Sequence, residues 1–132
     1  MDVSHQEILS ALSTAMIGIH TMHEEHFGIG IVEFMASGVI AVAHNSGGPK
    51  MDIIRTDEEG YLCSSVGEYV DTLQKLISMP ESRRREIREN ARASAIHRFS
   101  GSVFEAAFIN SLGALEVPMR PHSVISGKGK LV

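Results

Sequence analysis

Glu25 and Glu33 stand eight positions apart and bracket a run that carries Gly28 and Gly30. Carboxylates accept hydrogen bonds from hydroxyl groups, and glycines at a helix start leave backbone amides uncovered. Those amides, with the helix dipole, favour an anion, and the missing Cβ lets a phosphate come close. Glu33 falls about five residues into the expected helix, roughly 7 Å along its axis, and helical side chains lean back toward the amino end. Glu33 therefore reaches a hydroxylated group beside a phosphate at Gly28, while Glu25 reaches a second such group on the other side. Sugar, diphosphate and ribose in a row fit that layout, which is the shape of a nucleotide-sugar. The plainer alternative is a turn before a helix, with Glu33 facing solvent. Its neighbours Ile29, Ile31, Val32, Phe34, Met35 and Ala36 are apolar, so the helix is expected to be buried on most sides and an acid there to need a partner. On the residues alone both readings stay open.

The elements that must position these residues read strand, loop, helix, strand. Met16 to Ile19 is a short continuous apolar run, expected as a buried parallel strand. His20 to His26 is the loop at its carboxyl end, the edge where open α/β sheets bind ligands. Gly38 closes the helix, and Val39 to Ala43 is the next buried strand. His44 to Lys50 forms its loop, where Gly47 and Gly48 permit a close backbone approach to a sugar or phosphate and Pro49 fixes φ.

The loop histidines His20, His23 and His26 beside Glu24 and Glu25 invite a zinc reading. Their spacing opposes it, because the helical metalloprotease pattern needs histidines at i and i+4 with an acid next to the first. No metal is expected, and a metal hydrolase is the weakest of the function classes. His20 ends the strand and so faces the cleft. Cys63 has no neighbour that would depress its pKa and reads as a small buried residue.

Glu25 and Glu33 match the E-x7-E signature of retaining glycosyltransferases of the GT-B fold, the glycosyltransferase-4 group, and the sequence resembles that family. Phe27-Gly28 and Glu33-x-Met35-Ala36-x-Gly38 match as well. With His20-Thr21-Met22 and the run from Ala43 through Asn45-Ser46-Gly47-Gly48-Pro49-Lys50, the chain is similar to the family's α-1,2-mannosyltransferases of lipid-linked oligosaccharides, over residues 15 to 63 and more loosely through Phe108. The resemblance implies the carboxyl-terminal part of a Rossmann-like donor-binding domain, α/β with a small parallel sheet flanked by helices. It implies GDP-mannose as donor and a dolichol-diphosphate oligosaccharide as acceptor on the cytosolic face of the endoplasmic reticulum membrane. Transfer would retain the anomeric configuration and need no metal or other cofactor. Glu25 and His20 would face the mannose, the amides of Gly28 and Ile29 would hold the diphosphate, and Glu33 would hold the ribose. Gly47 and Gly48 would line the sugar pocket, with Lys50 as an anion contact. The family's usual Gly-Gly-x-Pro-Glu reads Gly47-Gly48-Pro49-Lys50-Met51-Asp52 here, which displaces and shortens the acid.

At 132 residues the chain is one domain at most, and a two-domain glycosyltransferase is about three times longer. The expectation is a fragment, residues 1–113 being the donor-domain portion and 114–132 a flexible tail with Pro118, Pro121, Gly127 and Gly129. Such a fragment is expected to be inactive alone, and the competing class is a non-catalytic nucleotide-sugar-binding or interaction module. A net charge of −4 argues against nucleic acid as partner. No apolar run approaches the length of a membrane span, so membrane association would come from other parts. Elsewhere Ser4 and Glu7 frame a helix to Thr14, and Ser65 and Glu68 open one to about Met79 with Val66, Tyr69, Val70, Leu73, Leu76 and Ile77 as its apolar stripe. Pro80 starts a helix with Ile87, Ala91, Ala95 and Phe99 on one face and Arg83, Arg84, Arg85, Arg88 and Arg92 elsewhere. A last helix runs from Ser100 to about Leu112 with Phe104, Phe108 and Leu112 on one side.

Overall fold

The computed structural model describes residues 3–114, with side chains through residue 111. Of the expected tail, Ala114 still belongs to the last helix, and residues 115–132, like the side chain of Leu112, lie outside the described residues. Among them three parallel strands form one sheet in the order β1-β2-β3, namely β1 (Ile17–His20), β2 (Ile40–His44) and β3 (Tyr61–Cys63). Ile17 pairs with Ile40 and His20 with Ala43, so the carboxyl ends of β1 and β2 lie level. Five helices accompany them: α1 (His5–Thr14), α2 (Ile29–Ala36), α3 (Val66–Ser78), α4 (Glu81–Phe99) and α5 (Gly101–Ala114).

The buried strand β2 sorts the core by its two-residue period. Ala41 and Ala43 face Ile31, Val32 and Met35 of α2 and Ala91 and Ala95 of α4. Ile40 and Val42 face Tyr61, Cys63, Leu76 of α3 and Ile87 of α4. Helix α4 thus contributes to both sides of the sheet. Small residues at 41, 43, 91 and 95 let α2 and α4 settle closely on the strand. Gly18 serves the same end on β1, since a Cβ there would run into the ring of Phe34.

Local signals set the helix ends. Ser4 and Glu7 form a reciprocal capping box on α1. Ser65 caps α3 by accepting the Glu68 amide, and the Glu68 carboxylate takes the Ser64 amide at 2.7 Å. Gly38, at φ +71°, ends α2, with its amide on the Met35 carbonyl and the Val39 amide on the Phe34 carbonyl. Those two bonds are the Schellman pattern, and the left-handed residue at its centre favours glycine.

Several expectations are corrected. β1 is an outer strand rather than a buried one, with Ile19 51% exposed, because among the described residues it pairs on one side only. The stripe on α3 divides: Leu76 is buried against the sheet, while Val66, Val70 and Ile77 turn to solvent, since the sheet covers only one side of the helix. Phe104 and Phe108 stack at 6.1 Å but are both exposed. Beyond Gly48 the expected loop becomes a π turn over Pro49–Ile53, closed by the Ile54 amide on the Pro49 carbonyl at 2.9 Å.

Candidate functional site: two loops at the carboxyl end of the sheet

Because β1 and β2 end level, the loops that follow them meet. The Gly48 amide donates to the Glu25 carbonyl at 2.8 Å. The Glu24 amide donates to Ser46 Oγ at 2.9 Å, and His44 Nδ1 lies 2.8 Å from the same oxygen. Glu24 sits at φ +54°, the one described non-glycine residue in the left-handed region. That conformation is costly for a residue with a Cβ, and the bond to Ser46 holds it. The ring of His23 stands edge-on to that of His44 at 4.7 Å.

The glycine pair has a different immediate reason from the expected one. A Cβ on Gly47 would land on the Glu25 carbonyl oxygen, and a Cβ on Gly48 would land on the backbone of His26 and Phe27. The space left by their missing side chains is filled by the first loop itself. Between the loops lies a cavity of about 450 Å³, lined by Glu24, Glu25, His26, Ser46, Gly47, Gly48, Met51 and Asp52. A cavity of several hundred Å³ is of the size that small-molecule ligands occupy.

Glu25 is about a quarter exposed, with one carboxylate oxygen 3.7 Å from His20 Nε2. The other ring nitrogen of His20, Nδ1, is buried without a hydrogen-bond partner. Helix α3 fixes that strand end from the far side of the sheet, since the Tyr69 hydroxyl donates to the His20 carbonyl at 3.0 Å. Burial, and then proximity to Cys63, pushes the Tyr69 hydroxyl pKa up, so it remains a donor. Gly28 is the N-cap of α2, at φ +100°, and no side chain caps this helix. The Gly28 carbonyl accepts the Ile31 and Val32 amides, while the Ile29 and Gly30 amides have no acceptor among the described residues.

The remaining expected residues are placed differently. Glu33 is exposed and Ile29 is 64% exposed, because α2 packs on the sheet and α4 and leaves one side open. The expectation of a helix buried on most sides is therefore corrected, and Glu33 has no ion-pair partner among the described residues. Lys50 is exposed on the π turn and is not part of the cavity lining, whereas Asp52 is. Asp52 is fixed through its backbone, its carbonyl and that of Ile53 both accepting from Arg98. Arg98 is largely buried and lies 3.8 Å from the buried carboxylate of Glu59. Desolvation and then Arg55 lower its pKa, with Glu59 and Asp52 opposing. Sequence reasoning missed Ser46, Tyr69 and Arg98 as organisers of the site. Only Ser46, placed after a strand and before two glycines, carried a local signal. Among the described residues no group of three or more His, Cys, Asp or Glu is arranged to hold a metal ion.

Comparison with known proteins gives a consistent picture. The family described as "Glycosyl transferases group 1" matches residues 2–94. The chain is 48% identical over 118 residues to a mouse (Mus musculus) protein named GDP-Man:Man(3)GlcNAc(2)-PP-Dol alpha-1,2-mannosyltransferase, covering 87% of this chain and 24% of that one. A Xenopus laevis protein of the same name is 49% identical, covering 84% of this chain and 23% of that one. The chain thus spans about a quarter of the length of these relatives. Among solved structures, the C-terminal domain of a glycosyl transferase group 1 family protein (LpcC) from Francisella tularensis superimposes with a TM-score of 0.64 at 30% identity, covering 75% of this chain and 50% of that one. Anabaena HepE, solved in complex with UDP-glucose, superimposes with a TM-score of 0.73 at 26% identity, covering 83% and 30%.

Proposed function

The chain belongs to the group 1 glycosyl transferases, and from that premise we propose that it carries the donor-binding part of a GDP-mannose-dependent α-1,2-mannosyltransferase acting on a dolichol-diphosphate oligosaccharide. The observation that carries the reading is the meeting of two loops at level strand ends around a cavity with Glu25 on its wall. The relatives named for that reaction support the donor and acceptor. Glu25 and His20 are assigned to the mannose hydroxyls, and the amides of Gly28 and Ile29 at the bare start of α2 to the diphosphate. Glu33, exposed on α2, is assigned to the ribose. Gly47 and Gly48 form the wall of the sugar pocket, and Lys50, exposed outside its lining, is an anion contact at its margin. Residues 1–113 form the donor-domain portion, and the acceptor wall belongs to the part of the relatives that this chain does not span. The reaction belongs on the cytosolic face of the endoplasmic reticulum membrane, where dolichol-diphosphate acceptors are extended.

The decisive measurement uses an enzyme of the relatives' full length that contains this segment. Glu25→Gln and Glu33→Gln should each weaken GDP-mannose binding about tenfold or more in calorimetry, since a hydrogen bond to a charged group contributes roughly 1.5–3 kcal/mol. Both thermal midpoints should stay near the parent value, because neither carboxylate is buried. Unchanged donor affinity in both variants would remove the glutamates from the site. One observation favours a second reading, a non-catalytic interaction module. Among the described residues strand β1 is outermost, with Ile19 51% exposed, and an open strand edge is a template for a partner chain. Absence of any GDP-mannose binding in the parent enzyme would favour that module.

A further inference from the structure

At the opposite end of α2 from Gly28, a cavity of about 260 Å³ is lined by Ser37, Gly38, Arg85, Arg88, Glu89 and Arg92. The three arginines recur at i, i+3 and i+7 on α4, which places them along one face. Their neighbours on the same helix are neutralised: Arg83 pairs with Glu58 and Glu86, and Arg84 with Glu81. Arg85 and Arg92 have no carboxylate within ion-pair distance among the described residues. Arg88 spends only its Nε, which donates to the Gly38 carbonyl at 2.5 Å, and its two terminal nitrogens have no acceptor there. Glu89 lines the same cavity but pairs with none of the three. The cavity wall therefore carries a net charge of +2 in a chain whose total is −4.

We propose that this cavity is a phosphate-binding site, separate from the donor cleft and independent of the reading given for it. Guanidinium forks match the oxygens of phosphate two at a time. Arg88, tied to the backbone at Gly38, fixes the floor of the site. Arg85 and Arg92 stand one turn to either side and supply the charge that a dianion needs. The Ser37 hydroxyl adds a neutral donor. Like charges held on one helix face repel each other. Glu81, coupled electrostatically to Arg85 and Arg88, offsets part of that repulsion, and a bound dianion offsets more. The phosphate can come from an anionic lipid headgroup or from a soluble phosphoester, and the two differ in whether a bilayer must be present.

The test measures binding of the 132-residue chain to vesicles of phosphatidylcholine with and without phosphatidic acid, and to inorganic pyrophosphate by calorimetry. The variant is Arg85→Ala/Arg92→Ala, both exposed positions whose loss should leave the thermal midpoint in place. The control is Arg55→Ala/Arg83→Ala, which removes the same charge elsewhere. The expected result is a loss of about tenfold per guanidinium contact in the first variant and little change in the control. Binding to acidic vesicles alone, lost in the first variant and kept in the control, assigns the site to a lipid headgroup. Pyrophosphate binding lost in the first variant and kept in the control assigns it to a soluble phosphate. Either loss upholds the site. Pyrophosphate binding that the first variant leaves unchanged belongs to the donor cleft and counts against the site. No binding of either probe, or equal losses in variant and control, overturns it.

Discussion

The two ends of α2 solve opposite problems by different means. Its amino end is left bare: Gly28 caps nothing with a side chain, and the Ile29 and Gly30 amides are without an acceptor among the described residues. Its carboxyl end is closed by the Gly38 pattern and by the Arg88 guanidinium on the Gly38 carbonyl. At the bare end, positive potential comes from backbone dipoles held in place by packed loops. At the closed end it comes from long side chains on α4. Backbone amides keep their direction only while the loops keep their shape, so the amino end should be intolerant of added volume. The arginines tolerate neighbours but depend on charge.

The sharpest way to break this comparison is Gly48→Ala. Its Cβ would meet the backbone of His26 and Phe27, which cannot yield as a side-chain tip can. Overpacking of this kind typically costs about 1–3 kcal/mol, and this position should fall at the upper end, about 3 kcal/mol in urea unfolding. A loss under about 0.5 kcal/mol, the range of ordinary surface changes, would mean that the loops are not locked together. Next comes Arg88→Ala at the other end. Gly38 is buried, and its carbonyl would lose a charge-assisted bond, for a loss of about 2 kcal/mol. If Arg88→Ala and the exposed Arg92→Ala had equal small effects, the closed end would owe its stability to the glycine alone. The smallest expected effect is Ser46→Ala. It removes the acceptor that holds the Glu24 amide and should cost about 1 kcal/mol. Faster amide exchange at Glu24 should accompany it, with the Gly38 region unchanged. Exchange unaltered at Glu24 would assign its left-handed conformation to the glycine contacts instead.

Much of the fold was legible in the chain because it rests on neighbours a few residues apart. Ser4 with Glu7, Ser65 with Glu68, and Gly38 each mark a helix end through bonds spanning three to five positions. The run from Val39 to Ala43 is apolar on both faces of its two-residue period, and β2 is buried accordingly. The periodicity of Ile87, Ala91 and Ala95 likewise fixed the inward face of α4. The E-x7-E spacing and the glycine loop marked both strand ends where the cavity lies. What periodicity cannot convey is which side of an apolar stripe meets a partner. Val66, Val70 and Ile77 fit the pattern of a buried face and are exposed.

The sequence by itself determined the strand, loop, helix and strand order, the helix ends and the placement of chemically capable residues at strand ends, since those follow from local sterics and hydrogen bonding. The tertiary structure decided the rest. It used the Gly47–Gly48 gap for the backbone of the first loop. It brought the Tyr69 hydroxyl to the His20 carbonyl across 49 residues and Arg88 to the Gly38 carbonyl across 50. It left Glu33 exposed and Lys50 outside the cavity lining. The reason is physical: contacts between residues far apart in sequence exist only once the chain has closed on itself, and no local preference encodes which distant group will fill a given space.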